Sequence, residues 1–401
     1  MTMKVRALCV ATVLAATMWL AGCGHYTCGA TFGASSCSGG GSGLSSSGSG
    51  NGLTQTVFVY FMNDGSGEMA LEALNLNNNQ TFDGIGGFVT PSFTGASGSD
   101  GGVVVVSKKY LYVPFANGAV FGFTIDSSSG ALTPIAGTGG SSPFTSPSGG
   151  SAVVAHPAGS FLYVGGAGGV TAFTVNSDGS LSEVAGSPFS TGGVTPIQMS
   201  IDGAGKFLYA LDGASLTVFS IESDGSLVMA VGSPFPFSML QIEPDKSGTF
   251  MVGITGQTGA TGGAGDPTVY VFSIGSSGVL TQTSNVTTVN PPAYMQVDAG
   301  GGFVYTFNQT AFGATAPSQP MEGFSLASGI LTALPSTSFS QLDAAMGKLD
   351  QAGLYIFADA QIPSTDVGGT FVYGINSDGS LSNTLPHAGT PSTSYAVTDE
   401  P

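Results

Sequence analysis

Arginine and cysteine are nearly missing from this chain of 401 residues: the one arginine is Arg6, and the four cysteines all fall within the first 37 positions. Beyond residue 37 no disulfide can staple the fold. Without arginine there is no fork-shaped cation to clamp a phosphate or carboxylate bidentately. Positive charge as a whole is scarce, with seven Lys and Arg against 24 Asp and Glu, so nothing can displace counterions from a polyphosphate. Nucleic acid and anionic membrane surfaces are therefore excluded as partners. Also absent are a Gly-x-Ser-x-Gly elbow, a His-Glu-x-x-His helix, a phosphate loop and an Asp-x-Asp-x-Asp cation loop, so no metal or cofactor is implied.

Long apolar runs are lacking except at the N-terminus. There Lys4 and Arg6 precede an apolar stretch from Ala7 to Trp19 that is too short to span a bilayer comfortably, and small residues follow. That pattern is an export signal over residues 1–22. Its ending, Leu20-Ala21-Gly22-Cys23, resembles the bacterial lipobox. The resemblance implies that Cys23 is acylated and becomes the new N-terminus, and that Gly24 behind it directs the chain to the outer membrane. Residues 23–54 are dominated by Gly and Ser and read as a flexible tether. Cys28 and Cys37 lie in it, either closing a small loop or left as free thiols. Once the signal is removed, five lysines face 24 acidic residues, a formal charge of −19.

What the rest of the chain does contain is a repeat. A strand written Phe-Leu-Tyr or near it is followed by a second strand ending in an aromatic, then by a Gly-x-Leu hairpin. The clearest copies are Phe161-Leu162-Tyr163 with Val170-Thr171-Ala172-Phe173 and Asp178-Gly179-Ser180-Leu181, and Phe207-Leu208-Tyr209 with Leu216-Thr217-Val218-Phe219 and Asp224-Gly225-Ser226-Leu227. The remaining copies centre on Tyr60, Tyr112, Val252, Tyr305 and Tyr355. Successive anchors lie 52, 51, 46, 43, 53 and 50 residues apart, the length of four short strands and their turns. Apolar residues alternate in strand rhythm, and Asp-Gly supplies the positive φ that a tight hairpin requires. The fold expected over residues 55–401 is all-β, a seven-bladed β-propeller of four-stranded antiparallel blades. The Tyr60 unit lacks an inner strand at its front, while Ser394-Tyr395-Ala396-Val397-Thr398 is left over at the end. The C-terminal strand is thus expected to close the ring through the first blade.

These repeat phrases resemble the seven-bladed lactonase family, the 6-phosphogluconolactonase-like propellers and their YVTN-repeat relatives. The resemblance implies hydrolysis or formation of a lactone at the mouth of a central channel, with a His on an inner strand and Arg and Glu nearby. This chain departs from that pattern. The stretch Pro147-Ser148-Gly149-Gly150-Ser151 carries no His, and His156 falls in a turn where other units place Asp202-Gly203 or Pro244-Asp245. His25 lies in the tether and His387 in the last outer segment. Lys108, Lys109, Lys206, Lys246 and Lys348 read as solvated turn residues. No residue is assigned a catalytic role.

Two sets of residues stand out as binding candidates. Gln198, Gln241 and Gln296 occupy similar inner-strand settings, where they either line a channel as a row of neutral amides or satisfy hydrogen bonds between blades. Asp266, Glu322, Asp359 and Asp366 sit in or beside the long connections of three consecutive units, a loop face suited to binding. The first reading is thus a monomeric, envelope-anchored binding or scaffold module, joined to the membrane through Cys23 and taking an unknown small-molecule or protein ligand. The alternative is a lactonase-like hydrolase acting on an uncharged lactone.

Overall fold

The computed structural model describes residues 57–63, 70–76, 82–84, 93–136, 143–258, 264–298, 300, 302–308, 321–335, 343–349, 355–362, 367–381, 385–386 and 394–397. The signal, the tether with Cys23, Cys28 and Cys37, and the residues His387 and Asp366 lie outside them. Among the described residues there is no helix; the chain is a propeller of four-stranded antiparallel blades.

The Tyr163 blade shows how the sequence builds one. Its strands Ala152–Ala155, Phe161–Gly166, Gly169–Val175 and Leu181–Glu183 pair in chain order, with Tyr163 opposite Val154 and Ala172, and Val175 opposite Leu181. β-branched and aromatic residues fill the two central strands, which are the ones covered on both faces. Leu162 and Val164 point into a cluster with Val106, Tyr110 and Tyr112 of the preceding blade. Tyr163, between them, points into a cluster with Met199, Leu208 and Phe219 of the following one. The strand period of two therefore sorts side chains to two different inter-blade cores rather than to core and solvent. The core is a series of apolar slabs between neighbouring sheets.

The other blades repeat the plan. The Tyr112 blade (Val104–Val106, Tyr110–Pro114, Ala119–Ile125, Leu132–Pro134) and the Tyr209 blade (Gln198–Ile201, Phe207–Leu211, Ser215–Ile221, Leu227–Met229) each add a short strand, Phe144–Thr145 and Phe235–Pro236, against the third strand. The Val252 blade (Gln241–Pro244, Phe250–Ile254, Thr268–Ile274, Leu280–Thr287) carries a small hairpin ladder, Gln257–Thr258 with Ala264–Gly265. The Tyr305 blade is Tyr294–Val297, Phe303–Phe307, Met321–Ala327 and Ile330–Ala333; the Tyr355 blade is Asp343–Leu349, Tyr355–Ile362, Val367–Gly374 and Leu385–Pro386. Around Tyr60, the strands Val57–Asn63, Ala70–Leu76 and Phe82–Gly84 pair with Ser394–Val397, Tyr60 standing opposite Ala396.

The hairpin phrase works differently from the expectation. Only the glycine takes the left-handed conformation, with φ of +82° at Gly179, +84° at Gly225 and +81° at Gly379. Asn176 N–H donates to Ser180 O at 2.9 Å and Gly179 N–H to Asn176 O at 2.8 Å, a three-residue loop that needs one positive φ, not two. The aspartate braces the loop instead: Asp178 Oδ1 accepts from Ser180 N–H at 2.9 Å and Ser180 Oγ at 2.6 Å. Those donors hold its carboxyl below the usual range.

Hairpin and Phe-Leu-Tyr phrase prove to be partners across the blade interface. Tyr60 Oη donates to Gly130 O at 2.6 Å, Tyr112 Oη to Gly179 O at 2.6 Å, Tyr163 Oη to Gly225 O at 3.2 Å and Tyr305 Oη to Gly379 O at 2.8 Å. A Cβ on Gly225 would stand 2.5 Å from the Phe161 ring, so the glycine is required by space as well as by φ. Tyr209 breaks the series, its buried hydroxyl having no hydrogen-bond partner. Replacing Tyr112 by Phe should therefore cost about 1–2 kcal/mol by orphaning the Gly179 carbonyl, whereas Tyr209→Phe should be neutral or slightly stabilising. Chemical denaturation of the two variants checks the contrast, and equal losses would contradict it.

Candidate functional site

The inner strands of the Tyr209, Val252, Tyr305 and Tyr355 blades lie side by side. The three glutamines bridge them. Gln198 Nε2 donates to Ile242 O at 3.0 Å, and Gln241 Nε2 to Met295 O at 2.7 Å while its Oε1 accepts Met295 N–H at 2.8 Å. Gln296 Oε1 accepts Leu349 N–H at 3.4 Å. Each primary amide can donate and accept at once, so it joins the backbone of one inner strand to the next as a short β-bridge would. Gln241 and Gln296 are 6% and 3% exposed, which assigns their amides to the blade interfaces.

The ladder converges on a residue that no sequence motif marks, Glu243. Its Oε1 accepts the Nε2 of Gln241 at 3.0 Å and the Nε2 of Gln296, and its Oε2 accepts Val297 N–H at 2.8 Å. Glu243 shares a strand face with Gln241, two residues before it, and keeps partial exposure. Burial nevertheless dominates its proton affinity, pushing the carboxyl up to about 7 against the opposing effects of the Lys348 charge, Val297 N–H and Gln241. Tyr294, on the strand that carries Gln296, has its phenol raised by burial and then by the Glu243 charge, so it stays protonated through the neutral range.

Lys348 is a correction. It belongs to the inner strand Asp343–Leu349, half-buried and opposite Phe357, not to a solvated turn. Its charge acts on a carboxylate two blades away. Lys109 does sit at a turn, with Nζ 5.1 Å from the Tyr110 ring centroid.

His156 occupies the turn position held elsewhere by Asp202 and Asp245. Its Nδ1 accepts Ala158 N–H at 3.1 Å, which leaves Nε2 to donate to Gly205 O of the next blade at 3.0 Å. Both nitrogens are engaged in structure. Asp202 braces its own turn instead, Oδ1 accepting Lys206 N–H and Phe207 N–H, both at 2.6 Å.

Of the loop-face carboxylates, the described side chains are those of Asp266 and Glu322, and each is held by partners of its own. Asp266 accepts the hydroxyls of Thr268, at 2.6 Å, and Tyr270. Glu322 receives Val289 N–H at 2.9 and 3.1 Å on its two oxygens, and burial raises its carboxyl. The strand Tyr355–Ile362 continues past Asp359, whose backbone pairs with Thr370 rather than lying in the connection that follows. Among the described residues no group of three or more His, Cys, Asp or Glu is placed to hold a metal ion.

Residues 88–236 match the family model described as Lactonase, 7-bladed beta-propeller. No curated protein sequence matches the chain. Among solved structures, the periplasmic gluconolactonase of Pseudomonas aeruginosa superposes with a TM-score of 0.60 at 17% identity, covering 86% of this chain and 100% of its own. A Bacteroides fragilis protein provisionally assigned as a 6-phosphogluconolactonase gives 0.59 at 15%, covering 86% and 98%. A Lactobacillus plantarum protein gives 0.60 at 14%, covering 86% and 99%. At such identities the likeness is one of fold.

Because the carboxyl of Glu243 lies near 7 in the folded chain and near 4.5 when exposed, the folded state binds the extra proton between those values. Its contribution to stability is complete below about pH 4.5 and is lost as pH rises through about 7. Glu243→Gln, which mimics the neutral acid, should flatten that part of the profile. Melting temperatures of both proteins from pH 4.5 to 8 test this, and parallel profiles would contradict it.

Proposed function

We propose that the protein is a lactonase-like hydrolase acting on an uncharged lactone, with Glu243 as its acid–base group. The lactonase family match over residues 88–236 and the gluconolactonase fold likeness favour this over the binding or scaffold reading that the sequence alone put first. The observation that carries it is a partly accessible carboxyl, pushed up to about 7, at the convergence of three inner strands. Such a group is matched to proton transfer at neutral pH.

In the chemistry that fits, Glu243 takes a proton from water as the water oxygen bonds to the lactone carbonyl carbon. The tetrahedral intermediate then collapses, the ring C–O bond breaks, and the departing alkoxide takes that proton back from Glu243, releasing a hydroxy acid. Lys348 is the cation whose charge acts on this carboxyl, and a positive charge there favours the oxyanion of the intermediate. With no arginine in the propeller, a phosphorylated substrate has no bidentate partner.

Purified protein lacking residues 1–53, offered a panel of neutral lactones, should open at least one. Glu243→Gln should reduce kcat at least a hundredfold while the fold is retained. In cells the activity should sediment with membranes and be released by Cys23→Ser, in keeping with the anchor expected from the sequence. A lactone that binds without turnover would return the protein to the binding-module reading.

We further infer a seven-bladed ring closed by Ser394–Val397. In support, Val59 stands opposite Val397, and the C-terminal strand lies beside both inner strands Asp343–Leu349 and Val104–Val106. Deleting residues 392–401 should lower the melting temperature by several degrees through the loss of that ladder. An unchanged melting curve would reject the closure.

A further inference from the structure

Glu243 is met from several sides, and its two oxygens are not equivalent. Oε1 receives two N–H donors, from Gln241 and Gln296, which fill its acceptor sites; Oε2 receives one, Val297 N–H at 2.8 Å, and keeps a lone pair to spare. The two amides differ as well. Gln241 divides its Nε2 between Glu243 and Met295 O at 2.7 Å, and is clasped by Met295 N–H, so its first duty is to join two backbones. Gln296 is turned by Leu349 N–H on its Oε1, which fixes the amide so that Nε2 faces Glu243. Besides the carboxylate, that Nε2 meets its neighbouring Met295 O at 3.2 Å and Tyr294 Oη at 3.5 Å.

We propose that Gln296 is the positioning residue of this site: its amide, oriented from the Tyr355 blade, pins Glu243 Oε1 and leaves Oε2 as the oxygen that meets water or ligand. This deepens the hydrolytic reading and rests on it for the identity of the reaction, but not for the geometry. Among the described residues the ionisable groups coupled to Glu243 are Lys348, from the inner strand Asp343–Leu349, whose charge acts on the carboxyl, and Tyr294, from the strand of Gln296 itself, whose phenol the carboxylate raises. Neither replaces an N–H aimed at Oε1. Losing the Gln296 donor removes a hydrogen bond to the charged form and so moves the Glu243 titration upward.

The test is Gln296→Met in the full chain, read first by a carboxyl-carbon NMR titration of Glu243 and second by the pH profile of lactone hydrolysis. The expected result is an upward move of about one pH unit in both, with KM little changed. A residue that merely held the blades together would lower the melting temperature and leave the titration where it was, and that outcome overturns the proposal. Should Gln296→Met fail to fold, Gln296→Asn withdraws the donor by one methylene and keeps an amide at the position; its titration is then the deciding one. If the wild-type protein opens no lactone but the variant titrates higher, the positioning stands and the hydrolytic reading falls. An active enzyme whose Glu243 titrates unchanged in the variant keeps the hydrolytic reading and overturns the positioning.

Discussion

At four blade interfaces a hairpin glycine of one blade meets a tyrosine of its neighbour. At the outer end of the interface a hairpin carbonyl, that of Gly130, Gly179, Gly225 or Gly379, receives a tyrosine hydroxyl from the preceding blade, and at the last three the space a Cβ would fill holds an aromatic ring. The dependence runs both ways. The tyrosine is buried to the point that its phenol is strongly raised, so its hydroxyl must find an acceptor inside the protein, and the hairpin presents one where no side chain intervenes. A repeat written in one blade is therefore an interface shared by two. This explains why the period is so regular in a chain whose loops vary freely in length.

At the inner end the same problem is solved by amides. Adjacent inner strands belong to different sheets and do not pair through their backbones; Gln198, Gln241 and Gln296 link them with side chains that can both donate and accept. A polar ladder in a buried interface is costly unless every member is satisfied. That requirement fixes the side-chain rotamers, and with them the position of the one ionisable group the ladder surrounds. Rigidity built for folding thus also fixes the carboxylate of Glu243 in place.

The architecture was legible because its signals are local and repeated: strand, turn and hairpin phrases recur in register, with a period near fifty residues that suits four short strands and their turns. The glutamines were legible as a set for the same reason. Glu243 was not, because Glu-Pro-Asp at residues 243–245 reads as a turn, and only the register places Glu243 on the face of Gln241. The alternation Gln241-Ile242-Glu243 was the available signal. Lys348 looks like a turn lysine because the inner strand Asp343–Leu349 runs longer than its counterparts, and a bulge between Ala344 and Met346 obscures its alternation. The short strands Phe144–Thr145 and Phe235–Pro236 were also hidden, although Ser-Pro-Phe recurs at 142–144, 187–189 and 233–235.

What sets the chemistry of the site is a near balance rather than a single strong partner. Desolvation pushes the Glu243 carboxyl up, and the donors at its oxygens, with the Lys348 charge, pull it back to about 7. Lys348, on the inner strand Asp343–Leu349, acts on this carboxyl through its charge and favours the ionised form. With the carboxylate bare of N–H donors, burial alone would keep it protonated, and a protonated acid cannot accept from water. In a sequence so poor in cations, one lysine charge and three neutral N–H donors thus offset the burial of the Glu243 carboxyl.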